Sequence, residues 1–397
     1  MVGCTLALAL AQHANLNIAI LERHQEATQT RKLGAHYHHR VSAIAPSSQR
    51  IFQALHIWDA LKAKRVSPFL KMEVWDATNG ARIAFAANDV NESQLGYIIE
   101  NDLIHQTLLE HLKKRPTVEI ISPIKLKTCR IETNNVFLST ENDDVYSAKL
   151  VVGADGANSW MRNAVGIEVN RHDYEQSGLV ATVRTTLPHE AHARQVFLKQ
   201  GPLAFLPLAE PNLCSIVWSL PQEEAEEMCR SPEEEFKNKL ALAFSQKLGE
   251  IVEVQDRVCF PLQKLVTKQY IKSRVALIGD AAHTIHPLAG QGVNMGLLDA
   301  AALYDVITKA YQAQQDFGKE RILRQYERWR RADNLPLLIG LDLIKSLFAS
   351  EGKSVQQLRS FGLKMTNQID FIKNIFTRHA VGRRNDLPYL ANSHARS

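Results

Sequence analysis

Residues 274–298 hold the side chains best suited to chemistry. A buried strand is predicted at 275–278, a turn with the acid Asp280 follows, and a loop of small residues leads into a helix predicted from about 293 to 310. The Asp280 carboxylate can accept hydrogen bonds from hydroxyl groups. Glycines let backbone approach a ligand closely, and free N–H groups at a helix N-terminus favour negative charge. This arrangement predicts a site for a polar cofactor.

The loop itself argues against an ordinary strand-to-helix connection. Tight packing alone would not require three glycines, a proline and a glutamine together after an Asp-Ala-Ala-His turn. These loop residues are Pro287, Gly290, Gln291, Gly292 and Gly296.

A second stretch, 150–159, is predicted to be a buried strand that ends in Asp155-Gly156. An Asp-Gly pair suits a tight turn that exposes polar backbone at the carboxyl end of a strand, where ligands gather in open α/β sheets. Asp-Gly turns are common, so the pair alone would be interpreted as a plain turn. Its presence beside the first motif favours a binding role.

The N-terminus carries part of a dinucleotide-binding pattern. Gly3 precedes an apolar helix predicted over 4–14, and a strand is predicted over 17–21. Glu22 ends that strand about 20 residues after Gly3, the spacing at which a dinucleotide fold binds ribose hydroxyls. Residues 1–3 supply only the last three positions of Gly-Xaa-Gly-Xaa-Xaa-Gly.

The shortened pattern lacks a strand of about five or six residues, which would be central in the sheet. We therefore expect the neighbouring strands to lose a hydrogen-bonding partner and a bound pyrophosphate to lose much of its backbone cradle. The preferred interpretation is that Met1 is an internal methionine and the protein begins upstream, because the other motifs are intact. The alternative is a damaged paralogue.

Residues 274–298 resemble the flavin-binding segment of the class A FAD-dependent aromatic monooxygenases, most closely that of the ubiquinone-biosynthesis hydroxylases. The shared signature is Gly-Asp-Ala-Ala-His followed by Pro-Xaa-Ala-Gly-Gln-Gly-Xaa-Asn. The resemblance implies that Asp280 holds the ribitol chain of FAD, that Pro287 lies against the flavin ring, and that the backbone of 290–294 faces its pyrimidine end. With the N-terminal pattern, the implied cofactor-binding residues are Gly3, Glu22, Arg40, Asp155, Gly156, Gly279, Asp280, Pro287, Gly290, Gln291, Gly292, Val293 and Asn294, and Arg162 is a secondary companion.

The same resemblance implies a flavoprotein monooxygenase whose chemistry belongs to the cofactor. FAD reduced by NAD(P)H reacts with O₂ to give a flavin C4a-hydroperoxide, which hydroxylates the aromatic ring of a polyprenyl-phenol or benzoquinol intermediate of ubiquinone biosynthesis. His283 and Pro287 are catalytic candidates without an assigned role, and a histidine in such a turn is more often an orienting group. Two alternatives stay open: a class A hydroxylase of a small soluble aromatic acid, and a flavin-less scaffold or remnant in a biosynthetic complex.

The order of segments predicts an α/β fold, with a Rossmann-like FAD-binding domain, an inserted β-sheet substrate domain and a helical C-terminus. Strands around the Asn79-Gly80 turn and between 177 and 219, then a charged helical stretch at 221–248, indicate the inserted domain. The predicted limits are 1–70, 96–165 and 270–330 for the FAD-binding domain, 71–95 and 166–269 for the substrate domain, and 331–397 for the C-terminal helices.

Two further stretches allow more than one interpretation. Residues 36–40 contain three histidines, but no acids stand at a ligand-like spacing, so no metal site is predicted. Arg40 contacts the cofactor by resemblance; otherwise it is a surface arginine at a helix start. Glu100 or Asn101 would face the active site by resemblance, whereas Asn101 or Asp102 would equally serve as a helix N-cap.

Composition limits the other roles. The net charge is +5 with dispersed basic residues, so no nucleic acid is expected as a partner, and Arg328, Arg330 and Arg331 are predicted to form a solvated or membrane-facing surface. The 5 cysteines are scattered without a Cys-Xaa-Xaa-Cys pair, which favours a reducing compartment and argues against a disulfide framework. Without a signal peptide or an apolar run of about 18 residues, the predicted location is the cytoplasm, peripheral to the inner membrane.

After Asp333 the chain is predicted to be helical and apolar at 335–348 and 361–376. These helices would pack against the cofactor domain, or offer a surface to a lipid bilayer or a partner protein, and the roles do not exclude each other. The Arg-Arg-Asn-Asp-Leu-Pro tail at 383–388 is predicted to be frayed. The implied partners are a polyprenylated aromatic substrate, O₂, a ubiquinone-biosynthesis protein complex and the membrane surface.

Overall fold

A computed structural model describes residues 1–13, 16–29, 34, 36–78, 80–285, 290–349 and 386–392. In these ranges the α-helices are α1 (Val2–His13), α2 (Pro46–Ala54), α3 (Trp58–Lys62), α4 (Asn101–Leu112), α5 (Trp160–Ala164), α6 (Gln222–Arg230), α7 (Glu233–Ala243), α8 (Gln291–Gln312) and α9 (Glu320–Ala349). The strands are β1 (Ile18–Leu21), β2 (Val41–Ile44), β3 (Val66–Phe69), β4 (Lys71–Asp76), β5 (Arg82–Ala86), β6 (Gly96–Glu100), β7 (Val118–Ile121), β8 (Leu126–Ile131), β9 (Val136–Thr140), β10 (Val145–Ala148), β11 (Val151–Gly153), β12 (Val169–Thr185), β13 (His192–Phe197), β14 (Pro202–Pro207), β15 (Leu213–Pro221), β16 (Ile251–Thr267), β17 (Ile271–Lys272), β18 (Val275–Leu277) and β19 (His283–Thr284).

Apart from the β13–β4 pair in the largest sheet, the parallel strands of the described residues form two separate groups. β1 pairs in parallel with β7, and β11 pairs in parallel with β18, which pairs antiparallel with β17. Among the described residues, no strand joins the two groups by hydrogen bonds. One apolar core nevertheless spans both groups, with α1 packed against α4 and α8. The other small sheets are β10-β9-β8 and β2-β6-β3.

The largest sheet has eight strands in the order β19-β16-β12-β15-β14-β13-β4-β5. Helices α6 and α7 cover one face of it, where Phe205, Phe236 and Phe244 are part of a second buried core. The sequence predicted one helical stretch here, but two helices form. Ser231 is extended (ψ 154°) because the residue before a proline avoids the helical region, and Pro232 follows it. The mixed α/β fold is as predicted, and the domain limits stay a prediction.

Helix α9 runs through the region predicted to be apolar and helical. Leu337 and Leu338 are buried beside Phe197 and Met295, whereas Leu335 and Ile339 are 54% and 51% exposed. The second predicted C-terminal helix, at 361–376, lies outside the described residues. In the described part of the chain, none of the helices has the length and apolarity needed to cross a membrane.

The prediction of a frayed tail is wrong for its last residues, 386–388. The segment 386–392 packs against α2 and α8, and its Leu390 and Ala391 are buried. The Trp329 Nε1–H donates to the Asp386 carbonyl oxygen (3.1 Å), and the Tyr389 N–H donates to a carboxylate oxygen of Asp305 (2.8 Å). The apolar residues that follow the charged part of the tail explain the docking, because their burial stabilises the segment.

The prediction against disulfides is also wrong at one pair. Cys229 on α6 and Cys259 on β16 are joined by a disulfide across 30 positions of sequence. Packing of α6 on β16 brings the two together, and sequence spacing does not reveal such a contact. Cys4, Cys129 and Cys214 are free thiols.

Candidate functional site

Three of the predicted motifs meet at the carboxyl ends of β11 and β18. Gly3, near the start of α1, lies so close to Ala154 that a Cβ on Gly3 would be 2.9 Å from the Ala154 Cβ. The Val2 side chain lies against Gly279 and Gly296, where added Cβ atoms would be 3.3 and 2.8 Å from it. The first turns of α1 and α8 therefore meet the ends of both strands at one edge.

Glycines shape the backbone of this edge in two ways. Gly279 and Gly290 are left-handed, with φ of 59° and 62°, a region that strains any residue with a side chain. Gly290 also packs against Ala43, because a Cβ on Gly290 would lie 3.0 Å from the Ala43 Cβ. Around Gly156, in contrast, no atom of the described residues lies within 4 Å of an added Cβ, so this glycine borders open space in that part of the structure. A ligand can approach the backbone there.

Helix α8 begins at Gln291, at the same edge as Gly279 and Gly290. Gly290 precedes the helix and has no side chain to cap it, and the first turn carries no acidic residue. Gln291, Gly292 and Val293 form that turn. Its N–H groups and the helix dipole favour a ligand atom with negative charge.

The side chain of Asn294 has a structural task. It is buried, its Oδ1 accepts from the Ala45 N–H (2.9 Å), and its Nδ2 donates to the Ala43 carbonyl oxygen (2.8 Å). These bonds join α8 to the end of β2. Any contact between position 294 and a cofactor therefore falls to the backbone, as the resemblance implies.

Asp280 lies at the carboxyl edge where β11 and β18 meet the start of α1, a region we call the cleft. Its side chain is exposed to solvent, although protein atoms surround it on most sides. That crowding raises the pKa of the Asp280 carboxyl, and the positive charges of His283, Arg40 and the Met1 amino group act in the opposite direction. A solvent-accessible carboxylate between nearby cationic groups can accept hydrogen bonds from the hydroxyls of a ligand.

Arg40 connects this cleft with the large sheet. Its exposed guanidinium lies 5.8 Å from the centroid of the Phe260 ring. Phe260 belongs to β16, opposite Gly178 of β12, and a Cβ on Gly178 would be 3.0 Å from the Phe260 ring. The predicted cofactor contact thus faces the sheet that was predicted to hold the substrate.

Asp155 and Arg162 organise the neighbouring turn. An Asp155 carboxylate oxygen accepts from the Met161 N–H at the start of α5 (2.9 Å). The buried Arg162 donates to the carbonyl oxygens of Ala281 (3.0 Å) and Ala157 (2.8 Å), which joins the 155–157 turn to the 279–281 turn. Arg162 therefore supports both turns from inside the protein, rather than facing a ligand.

The remaining predicted residues are placed as follows. Glu22 directly follows β1, and one of its carboxylate oxygens accepts from the His24 N–H (3.0 Å). Pro287, one of the catalytic candidates, lies outside the described residues, as does His286. Contact of these residues with FAD stays a prediction.

The N-cap of α4 is Glu100, whose side chain makes no capping hydrogen bond, and Asn101 and Asp102 are the first two helical residues, so neither is the N-cap. Buried Glu100 accepts from the His38 N–H (2.7 Å) and pairs with Arg65 (3.1 Å). The Asn101 Oδ1 accepts from the Ser42 hydroxyl (2.6 Å). Both side chains therefore hold the segment that leads through Arg40 into β2, and the capping interpretation is wrong.

A buried polar cluster behind the 279–283 turn was missed in the sequence. Asp299 of α8 accepts from the Gly279 N–H (3.1 Å), the His283 Nε2 (2.5 Å) and the Arg330 Nε (2.7 Å). His283 is buried in this cluster, so it orients the turn and is not open to a substrate. The one signal was an acid at position 299 inside the apolar run of α8.

The predicted surface role of Arg330 is wrong. Arg330 is 1% exposed and also bonds to Asp333 and Asn334, each at 2.7 Å. Two buried carboxylates compensate its charge, which makes burial of the guanidinium feasible. Arg328 and Arg331 are exposed, as predicted.

Known proteins share both the sequence and the fold. The family described as FAD binding domain matches residues 1–334. The mitochondrial ubiquinone biosynthesis monooxygenase COQ6 of Drosophila melanogaster is 33% identical over 423 residues, covering 96% of this chain and 88% of that protein. The 3-demethoxyubiquinol 3-hydroxylase of Escherichia coli is 33% identical over 382 residues, covering 96% of each. The crystal structure of p-nitrophenol 4-monooxygenase PnpA from Pseudomonas putida has the same fold, with a TM-score of 0.74 and 19% identity over 96% of each chain.

The family match includes every described residue of the cleft, from Gly3 at the start of α1 to Asn334 of α9. The ubiquinone-biosynthesis relatives align over nearly the whole chain, including the large sheet that Arg40 faces. The chain therefore belongs to the family of the FAD binding domain and is an FAD-dependent monooxygenase of the ubiquinone-biosynthesis group.

Proposed function

We propose that the enzyme hydroxylates the aromatic ring of a polyprenylated phenol or benzoquinol intermediate of ubiquinone biosynthesis, using O₂ and electrons from NAD(P)H. One observation carries the proposal: Arg40 lies near enough to Asp280 for its charge to act on that carboxylate, and its guanidinium also lies 5.8 Å from the Phe260 ring of the large sheet, so the residues proposed to hold the flavin adjoin the sheet proposed to hold the substrate. The names of the relatives, a ubiquinone biosynthesis monooxygenase and a 3-demethoxyubiquinol 3-hydroxylase, support the substrate class.

The residues around the cleft fit FAD. Gly156 leaves room for a ligand against the backbone, Asp280 supplies a carboxylate for the ribitol hydroxyls, and the N-termini of α1 and α8 favour the negative charges of the pyrophosphate and of the reduced flavin. Glu22 ends β1 where a ribose would be held. FAD, when bound, supplies the oxygen-activating chemistry, and the protein orients the substrate and excludes water.

The region between α8, α9 and the sheet suits a prenyl chain. Phe197, Met295, Leu337 and Leu338 form a small apolar core there, and Ile285 packs against it directly before the flavin loop. Because the four side chains of this core are already buried, a polyprenyl tail would gain stability by leaving water at the margin of this core rather than inside it. A small aromatic acid would gain nothing from it, which is why we prefer the prenylated substrate.

We further propose that α9 brings the enzyme to the cytoplasmic side of the inner membrane as a peripheral protein. Its exposed residues Arg324, Arg328, Arg331, Leu335 and Ile339 recur every three or four positions and so share one helix face, basic first and apolar afterwards. Such a face suits a surface of anionic lipid, with arginines at the headgroups and apolar side chains below them. A protein partner in a biosynthetic complex is the alternative occupant.

A reconstitution experiment tests the substrate. The purified protein is loaded with FAD, its flavin content is measured by absorbance, and NAD(P)H and ¹⁸O₂ are supplied with either a detergent-solubilised polyprenyl phenol or 4-hydroxybenzoate. We expect one ¹⁸O atom in the product of the prenylated substrate only. Hydroxylation of the small acid alone would favour the small-acid hydroxylase, and a protein that takes up no FAD would favour the flavin-less scaffold.

Vesicle flotation tests the membrane surface. We expect binding to vesicles containing phosphatidylglycerol and weaker binding to phosphatidylcholine vesicles, because salt-screened charge attraction adds to apolar insertion. The pair Leu335→Gln and Ile339→Gln should abolish flotation. Leu242→Gln is the matched control, since Leu242 is 69% exposed on α7, away from this face. Equal binding by both variants would contradict the proposal.

A further inference from the structure

We propose that Asp299 and Arg330 are positioning residues for flavin binding: Asp299 holds the 279–283 turn from its buried side, and Arg330 of α9 fixes Asp299. The inference rests on the proposed FAD site at Asp280. It gives a role to a buried ionic cluster that does not itself reach the cleft.

Asp299 holds both ends of the turn that presents Asp280. One of its carboxylate oxygens accepts from the Gly279 N–H (3.1 Å) and from the His283 Nε2 (2.5 Å). Gly279 precedes Asp280 and His283 follows it by three positions, so both anchors flank the exposed carboxylate. Because Gly279 has a left-handed φ of 59°, its amide needs a partner outside regular secondary structure.

Arg330 fixes the other oxygen of Asp299 from α9. The Arg330 Nε donates to it (2.7 Å), and the two Nη groups donate to Asp333 and Asn334 (2.7 Å each). Asn334 returns to the turn, with its Nδ2 3.1 Å from the His283 Nε2. Every member is at least nine-tenths buried, so the bonds are shielded from water.

The charges of this cluster are not needed for packing alone. Replacing a buried ion pair by apolar residues of similar volume is often neutral or stabilising, so a purely space-filling role would not require it. Burial by itself would raise the pKa of Asp299, but the charges of His283 and Arg330 lower it to about 2. The carboxylate thus stays an acceptor at neutral pH, which a bond from the Gly279 N–H requires.

The cluster also connects α9 with the turn. One turn further along α9, Leu337 and Leu338 pack against Met295 of α8. The same helix therefore bears the residues that fix Asp299 and the apolar residues proposed to face the prenyl chain. A shift of α9 would move Arg330 and with it the turn at Asp280.

The test compares this ion pair, which lies near the carboxyl end of β18, with a second one near the opposite end of the same strand. Asp299→Asn keeps the shape but turns an N–H₂ group or a weaker acceptor toward the Gly279 N–H. Arg330→Lys keeps the charge and loses the forked hydrogen bonds. The matched control is Arg274→Lys: Arg274 is also 1% exposed and pairs with Asp316, but it stands at the opposite, amino end of β18.

Two measurements separate positioning from plain stability. Hydrogen exchange by mass spectrometry on peptides covering 276–283, without flavin, reports on the turn, and fluorescence quenching gives the FAD dissociation constant. For Asp299→Asn we expect the hydrogen-exchange rate of the 276–283 peptides and the FAD dissociation constant each to rise roughly tenfold, because the turn loses one hydrogen bond to a charged group. Arg330→Lys should give a smaller change of the same kind. Arg274→Lys should lower the thermal midpoint and leave both quantities within about twofold.

Asp299→Asn and Arg274→Lys are compared at temperatures at which the two variants are equally stable. If both then change the FAD dissociation constant and the hydrogen exchange of residues 276–283 by the same factor, the proposal is overturned. Should Asp299→Asn fail to fold, Arg330→Lys and Asn334→Ala decide in the same two measurements. A wild-type protein that binds no FAD would refute the proposed function instead. In that case the exchange measurement still decides whether Asp299 holds the turn.

Discussion

Gly290 gives a sharp test of how the site is shaped. We expect Gly290→Ala to destabilise the protein by about 2–3 kcal/mol. A side chain at φ 62° costs about 1–2 kcal/mol. A further cost of about 1 kcal/mol arises because the new Cβ would be 3.0 Å from the Ala43 Cβ, and Asn294 bonds hold β2 and α8 at this spacing.

Gly292 supplies the matched control two positions away. It lies in the first turn of α8, and among the described residues the nearest atom to a Cβ there would be Ile285 Cγ1 at 3.9 Å. Alanine in a helix is favoured over glycine by about 0.5–1 kcal/mol. The thermal midpoint without added flavin should therefore fall by roughly 5 °C for Gly290→Ala and stay level or rise for Gly292→Ala.

Thermal unfolding followed by circular dichroism decides the matter in flavin-free protein, so that cofactor binding does not contribute. If Gly290→Ala unfolds at the wild-type temperature, the left-handed turn and the close contact with Ala43 do not govern this loop. If Gly292→Ala is destabilised as much as Gly290→Ala, glycine is needed throughout the loop for another reason, and the argument from φ and contact distance is refuted.

Three other predictions address separate parts of the molecule. Cys259→Ser, or reduction of the bond to Cys229, should lower stability by about 3–4 kcal/mol because a loop of 30 residues is released, and thiol titration of the unfolded, unreduced protein should find only the three free cysteines. Burial raises the pKa of Asp305 from 3.8 to about 6. The contribution of this group to the free energy of unfolding is therefore complete below about pH 4 and is lost as the pH rises through about 6. Asp305→Asn should remove this pH dependence, so it should raise the thermal midpoint at pH 7.5 and hardly change it at pH 4. Equal shifts of the midpoint at both pH values would contradict the prediction. Asp280→Asn should weaken FAD binding roughly tenfold in a fluorescence titration without lowering the thermal midpoint, because its carboxylate is exposed.

The sequence predicted those parts of the site whose chemistry is local. A glycine reports a backbone that a side chain would disturb, and Gly279, Gly290 and Gly3 each occupy such a place in the structure. The strand before Glu22 and the helix after Gly290 were also recognisable, since short apolar runs and helical periodicity are properties of adjacent residues. Such signals need no knowledge of distant partners.

What the sequence did not predict depends on contacts between distant residues. Arg330 stands between two other arginines and was taken for surface, yet Asp299, Asp333 and Asn334 surround it in the core. Asp299, whose charge compensates that of Arg330, lies on the preceding helix, and the sequence around either residue does not indicate that the two are paired. Burial of a charge is decided by its partner, so only the packing of α8 on α9 could reveal it.

Helix packing also explains how the cleft keeps its shape although no described strand joins β1 and β7 to β11, β18 and β17 by hydrogen bonds. Helix α1 touches the 154–156 side through Gly3 and the 279 turn through Val2, and Leu8 is fully buried further along it. Helix α8 meets the same Val2 at Gly296 and reaches the turn again through Asp299. The ends of β11 and β18 are thus held to α1 by close packing at glycines and to α8 by a buried carboxylate. Both constraints act at the carboxyl edge of the strands, where the cofactor residues lie, and so the geometry of the site follows from these two helices more than from continuity of the sheet.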